Sequence, residues 1–178
     1  ALVGAWDGNG NGAGTLYDAL VSTEQAFPNN NAGNVDVSTR PDGAPEASFT
    51  GLAANTTYYL FARAISHAGV PTAHAVLGAT VTLADIPGTA VTTFTAVDIS
   101  SMSVAWDRGS NPVSLTTYTV VLSTGSTYPN TFAGNISLTT APVGALPATT
   151  MSGLAGNTTY FLFVGAVNHN GIPTAFAA

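Results

Sequence analysis

The chain contains itself twice. Residues 51–75 read GLAANTTYYLFARAISHAGVPTAHA and residues 153–177 read GLAGNTTYFLFVGAVNHNGIPTAFA, an offset of 102 residues. The likeness extends upstream, where GAWDGNGNGAGTLYDALVST (from Gly4) answers VAWDRGSNPVSLTTYTVVLST (from Val104), with one residue more in the second copy. Trp6 corresponds to Trp106, Tyr17 to Tyr118, and the pair Phe27-Pro28 to Tyr128-Pro129. Solenoid repeats run to about 20–50 residues, so a period near 100 implies two copies of one domain, each able to bury its own core.

Within each copy the pattern is that of short strands. Leu2, Gly4 and Trp6 alternate with Val3 and Ala5, and Tyr118, Val120 and Leu122 alternate with Thr119, Val121 and Ser123. Thr56 to Ser66 reads as a long strand rich in aromatic and apolar residues. Clusters of Gly, Asn, Pro, Asp and Ser separate these runs, and such residues tolerate or impose turns. No stretch carries a 3.6-residue period with helix caps. Several short strands in about 100 residues predict an all-β sandwich.

The order of the motifs is specific. A Trp on the second strand is followed by a Tyr-x-Val-like strand (Tyr118-Thr119-Val120; Tyr17-Asp18-Ala19), then by Gly-Leu-x-x-Asn-Thr-Thr-Tyr, in both copies. Each copy thus resembles a fibronectin type III domain. The resemblance implies two tandem fibronectin type III-like (immunoglobulin-like) β-sandwiches, with Tyr58 and Tyr160 as tyrosine corners that tie the preceding loop to the sandwich. It places strands B, C, C′, E, F and G in residues 1–86, which lack strand A, and strands A, B, C, C′, E and F in residues 87–178, which stop before strand G. Such a chain is expected to be a piece of a longer array, or a subunit that exchanges strands with its neighbours. It starts at Ala1 without Met, as a processed chain or a fragment does. The Gly-, Thr- and Asn-rich, lysine-free style is similar to repeats of bacterial or archaeal extracellular surface proteins.

Composition narrows the partners. Charged residues are 7% of the chain, against about 25% in ordinary soluble domains. The basic residues are Arg40, Arg63 and Arg108, scattered, and the net charge is -6. Nothing there could neutralise a run of phosphates, so neither nucleic acid nor an anionic membrane surface is an expected partner. The absence of Cys excludes disulfides and thiolate-bound metals, and no apolar run reaches the roughly 20 residues that span a bilayer.

Candidate sites are few. DGNGNGAGTLYD, residues 7–18, lies on the calcium-loop pattern of an EF-hand. Asp7, Asn9 and Asn11 fall on its first, third and fifth positions, Gly12 on the sixth and Asp18 on the twelfth, where Glu is usual. An EF-hand needs a helix on each side, whereas both flanks here read as strands. The second copy has DRGSNPVSLTTY, with Pro112 at the sixth position. The competing reading is an ordinary polar B–C loop, and no metal or other cofactor is expected. His67 and His169 are equivalent positions opening the F–G loop; each reads as a turn residue, and His67 with His74 is the one candidate metal pair. The acids are dispersed, no Gly-x-Ser-x-Gly elbow occurs, and GNGNGAG lacks the helix and Lys of a phosphate loop, so nothing argues for an enzyme.

Asn55, Asn135 and Asn157 head Asn-x-Ser/Thr sequons and are candidate glycan acceptors; turn chemistry competes at Asn55 and Asn157. The resemblance turns Tyr58, Leu60, Ala62 and Ala64 inward on strand F. The opposite face then carries Tyr59, Phe61, Arg63 and Ile65, and in the second copy Phe161, Phe163, Gly165 and Val167, with Leu20 and Val121 beside them on strand C. An outward apolar stripe of that kind marks a contact surface unless loops cover it. Tyr59, Phe61, Ile65, Phe161, Phe163 and Val167 are therefore candidates for self-association. The expected function is a structural part of an extracellular, cell-surface filament, sheath or adhesin stalk, whose partners are further copies of itself and glycans. The alternative is a spacer or carbohydrate-binding module of a larger secreted enzyme; with Trp6 and Trp106 expected in the core, it lacks an exposed Trp platform.

Overall fold

The computed structural model describes residues 1–39, 44–113, 115–141, 144 and 146–178, and they form strands and turns without any helix. Arg40 lies outside the described residues. The chain divides into two compact units, Ala1–Leu52 with Thr56–Thr82, and Ala53–Asn55 with Leu83–Ala178.

Unit 1 contains β1 (Leu2–Ala5), β2 (Leu16–Ser22), β3 (Val35–Thr39), β4 (Glu46–Phe49), β5 (Thr57–Ile65) and β6 (Ala75–Val81). One sheet pairs β1 with β4, and the other runs β3-β2-β5-β6, antiparallel throughout. Alternation puts Ala19 and Val21 of β2 and Tyr58 and Ala62 of β5 on one face, against Ala47 and Phe49 of β4 and Leu2 of β1. Gly4 of β1 sits so close to Leu60 that a Cβ there would lie 2.7 Å from its Cδ2, so any larger residue would require the Leu60 side chain to shift.

Unit 2 repeats the plan with β7 (Gly88–Val97), β8 (Ser101–Asp107), β9 (Thr117–Ser123), β10 (Ile136–Thr140), β11 (Ala148–Ser152) and β12 (Phe161–Val167). Its sheets run β11-β8-β7 and β10-β9-β12. Val104, Trp106 and Met151 of the first meet Val120, Leu122 and Val164 of the second. Past β12 the chain turns back along it, with isolated bridges from Pro173 to Val167 and from Ala177 to Val164, the latter through two hydrogen bonds of 2.9 Å. Unit 1 has the order B-E against C′-C-F-G and unit 2 the order A-B-E against C′-C-F, both parts of a fibronectin type III-like sandwich. The tyrosine corner is explicit at Tyr160, whose hydroxyl accepts the Ala155 N–H at 3.0 Å.

Candidate functional site

The expected outward stripe on the F strand is corrected by the structure at its centre. Phe61 is 1% exposed and Phe163 3% exposed, and their neighbours Leu20 and Val121 are buried too. The cover comes from loops. In unit 1 the segment between β2 and β3 folds back so that Phe27 lies 5.3 Å from Phe61, centroid to centroid, and 4.5 Å edge-on from His74. In unit 2 Tyr128 stacks on Phe163 at 5.4 Å and meets Phe176 edge-on at 4.8 Å. Each unit thus has a second small apolar layer outside the sandwich. Among the other stripe residues, Phe161 is 39% exposed, while Tyr59, Ile65 and Val167 are half-buried.

A polar network holds each aromatic lid. The peptide bonds Phe27-Pro28 and Tyr128-Pro129 are both cis. Next comes Asn29, whose amide nitrogen donates to Ser22 Oγ and Ala26 O, while its amide oxygen accepts from Asn31 N–H and from Asn34 Nδ2 at 2.9 Å. Asn130 does the same in unit 2, donating to Ser123 Oγ and Thr127 O and accepting from Phe132 N–H and Asn135 Nδ2. Sequence reasoning missed this device, although Phe/Tyr-Pro-Asn-x-x-Ala-Gly-Asn stands at matching places in both copies. Asn135, a candidate glycan acceptor, is part of it: its amide nitrogen is engaged by Asn130 at 2.9 Å.

The residues of the calcium pattern are put to separate uses. Asp7 Oδ1 accepts the Asn9 N–H at 2.8 Å, an Asx turn. Asp18 lies on β2, opposite Ser38 and Arg63. Its carboxylate accepts from Ser38 Oγ at 2.6 Å and from Arg63 Nε and Nη2 at 3.1 and 2.8 Å. The Ser38 hydroxyl, then Arg63, hold its pKa below the usual carboxylate value. Among the described residues no group of three or more His, Cys, Asp or Glu could hold a metal ion. His67 is exposed; His74 packs on Phe27, and burial, then the Arg63 charge, pushes its pKa below the ordinary imidazole value.

Asn55 and Asn157 share a backbone role, with φ of 45° and 51°, the left-handed region that Asn tolerates. Their side chains part company. Asn55, within unit 2, is 1% exposed. Its Nδ2 donates to Thr116 Oγ1 at 2.9 Å and to Leu115 O at 3.3 Å, and its Oδ1 accepts the His169 N–H at 2.8 Å. Asn157 is exposed and has no side-chain hydrogen bond among the described residues. Of the two, only Asn157 is open to a glycan in the folded chain. Nearby in unit 2, buried Asn111 accepts the Asp85 N–H at 2.7 Å and donates to Asp85 O and Arg108 O, while Asp85 Oδ2 accepts from Ser110 N–H and Oγ. The Ser110 N–H, then its hydroxyl, lower the Asp85 pKa.

Trp106 is 1% exposed under β7, and Trp6 is half-buried, each meeting its Tyr (Tyr118, Tyr17) edge-on. Trp6 lines a cleft of about 280 Å3 with Asp7, Asn9 and Arg63. No known protein family matches the sequence, and no curated protein does. Among solved structures, the FN1–FN3 domains of chicken CNTN1 are similar at 16% identity with a TM-score of 0.38, over 93% of this chain. The chain spans 56% of that one. The fold assignment rests on the strand order above. No helix among the described residues is long and apolar enough to cross a membrane.

Proposed function

We propose that the chain is a non-catalytic structural component of an extracellular, cell-surface filament, sheath or adhesin stalk, associating with further copies of itself. One observation carries this: what recurs in both units is scaffold. The edge-on Trp–Tyr pair, the aromatic lid and the Asn29/Asn130 network appear twice. Titratable groups do not recur as a site: Asp18 is matched by Thr119, Arg63 by Gly165 and His74 by Phe176. Duplication that keeps architecture and lets ionisable groups drift suits a mechanical repeat. The low charge leaves little repulsion to oppose association, and Phe161, with the half-buried Tyr59, Ile65 and Val167, offers apolar area for it. Asn157 is the sequon whose amide is exposed and without a hydrogen bond among the described residues.

A second reading, a carbohydrate-recognising module of a secreted enzyme, is favoured by the Trp6 cleft, where an indole edge stands beside Asp7, Asn9 and Arg63. Negative-stain electron microscopy of native material, at neutral pH without added calcium, tests the first reading. Regular filaments are expected. Separate beads or short rods would overturn it and turn attention to the Trp6 cleft.

A further inference from the structure

Unit 2 holds Asn55 in a seat made by Thr116 and Leu115 O before β9 and the His169 N–H after β12. The repeat alignment places the same parts in unit 1. Thr15 corresponds to Thr116, Gly14 to Leu115 and His67 to His169. Thr15 keeps the local geometry: its hydroxyl donates to Gly12 O at 2.7 Å, as the Thr116 hydroxyl donates to Pro112 O at 3.3 Å, which leaves each oxygen free to accept. The His67 N–H has no partner among the described residues. Between these groups lies an open cleft of about 320 Å3, lined by Gly12, Thr15, Ser66, His67, Val70 and Thr72. Unit 1 therefore carries an unfilled seat. The chain also carries an unused key: Asn157, in the Asn55 conformation, exposed and with no side-chain hydrogen bond among the described residues.

We propose that a second copy of this chain places its Asn157 in the Thr15–His67 cleft. The amide nitrogen donates to Thr15 Oγ1 and Gly14 O, and the amide oxygen accepts the His67 N–H, the three bonds that Asn55 makes in unit 2. Key and seat are different surfaces, so each copy offers one of each and the contact is heterologous. Such contacts propagate into open chains unless the rotation closes them. The proposal deepens the reading of the chain as a self-associating structural part, and rests on it.

Sedimentation of the full chain over a concentration series tests it. Asn157→Gly keeps the left-handed turn, which Gly adopts freely, and removes the key. Thr15→Val removes the acceptor in the seat, and Thr15→Ser restores it. Wild type and Thr15→Ser are expected to form oligomers that lengthen with concentration. Asn157→Gly and Thr15→Val, folded by circular dichroism, are expected to stay monomeric at more than tenfold higher concentration. Mixed one to one, these two variants retain one good joint between them, so they should yield dimers and nothing longer. If Asn157→Gly associates as wild type does, this joint is refuted while self-association through another surface stands. If wild type is monomeric up to about 1 mM, too weak for any specific joint, the joint and the structural reading both fall. A glycan on Asn157 of the native protein would fill the key's place and refute the joint as well. Should Thr15→Val not fold, Asn157→Gly alone decides.

Discussion

Replacing Phe163 with Ala separates a buried lid contact from an exposed stripe. A Phe side chain buries about 150–250 Å2, and at 25 cal/mol per Å2 that is about 4–6 kcal/mol against a fully extended chain. Real unfolded chains are more compact, which trims the figure to about 3–4 kcal/mol, within the range measured for Phe→Ala in cores. Phe163 is 3% exposed, so nearly all of this applies. In a unit of this size about 1 kcal/mol corresponds to 4–8 °C, so Phe163→Ala should lower the unit 2 transition by about 12–30 °C and leave unit 1 unmoved. Thermal unfolding of the full chain, followed by circular dichroism and by the fluorescence of buried Trp106, reads this directly. Tyr128→Ala should cost less, since Tyr128 is half-buried, and the double variant should fall short of the sum by about 0.5–1.5 kcal/mol, because the rings stack at 5.4 Å. A loss below about 0.5 kcal/mol for Phe163→Ala, as at a free surface position, would refute the lid.

The remaining predictions concern charge, metal and the paired copies. The Asp18 pKa is lowered in the fold, so its contribution is present above the unfolded value and is lost as pH falls through the folded one. Asp18→Asn should therefore cost up to about 1 kcal/mol at pH 7, the pair being 29–32% exposed, and progressively less as pH falls below the unfolded carboxylate value; urea midpoints from pH 7 downward check it. His74, also lowered, costs wild type stability only as pH falls below about 6.5, a separate window that Asp18→Asn should leave in place. Millimolar calcium should leave both transitions unmoved, since Asp18 is held by Arg63 and Ser38; a concentration-dependent rise of several degrees would reinstate the calcium loop. Arg63→Gly alone should destabilise unit 1, and adding His74→Phe should recover part of the loss, because Phe176 lies over Gly165 in unit 2; an additive result in denaturant would show that the positions are uncoupled.

The sandwich was legible because it is written in period-two alternation and written twice. β2, β5, β9 and β12 fall where the alternating runs fall, and the Leu-to-Tyr spacing before the F strand marked the Tyr160 corner. The outer face was misread for a physical reason. Alternation tells which side of a strand a residue faces, but not what a loop later lays upon that side. Phe61 and Phe163 face away from the core as expected, and are covered by Phe27 and Tyr128 from segments without strand character. The cue was present in the paired Phe27-Pro28 and Tyr128-Pro129, followed by Asn29 and Asn130, but an aromatic in a Pro- and Asn-rich loop reads as turn vocabulary until its distance from the sheet is known. Asn55 and Asn157 show the same limit. Both sequons, and both left-handed turns, are legible; that one amide is enclosed and the other free is a matter of tertiary placement.

The outer faces of the two copies answer one requirement with different chemistry. Each must close the edge of the aromatic layer at the position beside the F-strand Phe. Unit 1 does so with Arg63, whose guanidinium is tied to Asp18 across the strands and stands near the Phe27–His74 edge. Unit 2 has Gly165 there, and Phe176 lies over it, with ring carbons 3.4 Å from where a Cβ would be. Neither half of either solution works in the other copy. An arginine at 165 would occupy the space of Phe176 and find Thr119 in place of a carboxylate, while a glycine at 63 would leave Asp18 without its counter-charge. The substitutions make sense as sets, Asp18 with Arg63 and His74 against Thr119 with Gly165 and Phe176. Such sets arise when the covered face itself is what must be preserved. With that face sealed, the proposed association between copies would have to come from smaller directional contacts such as the Asn157 turn.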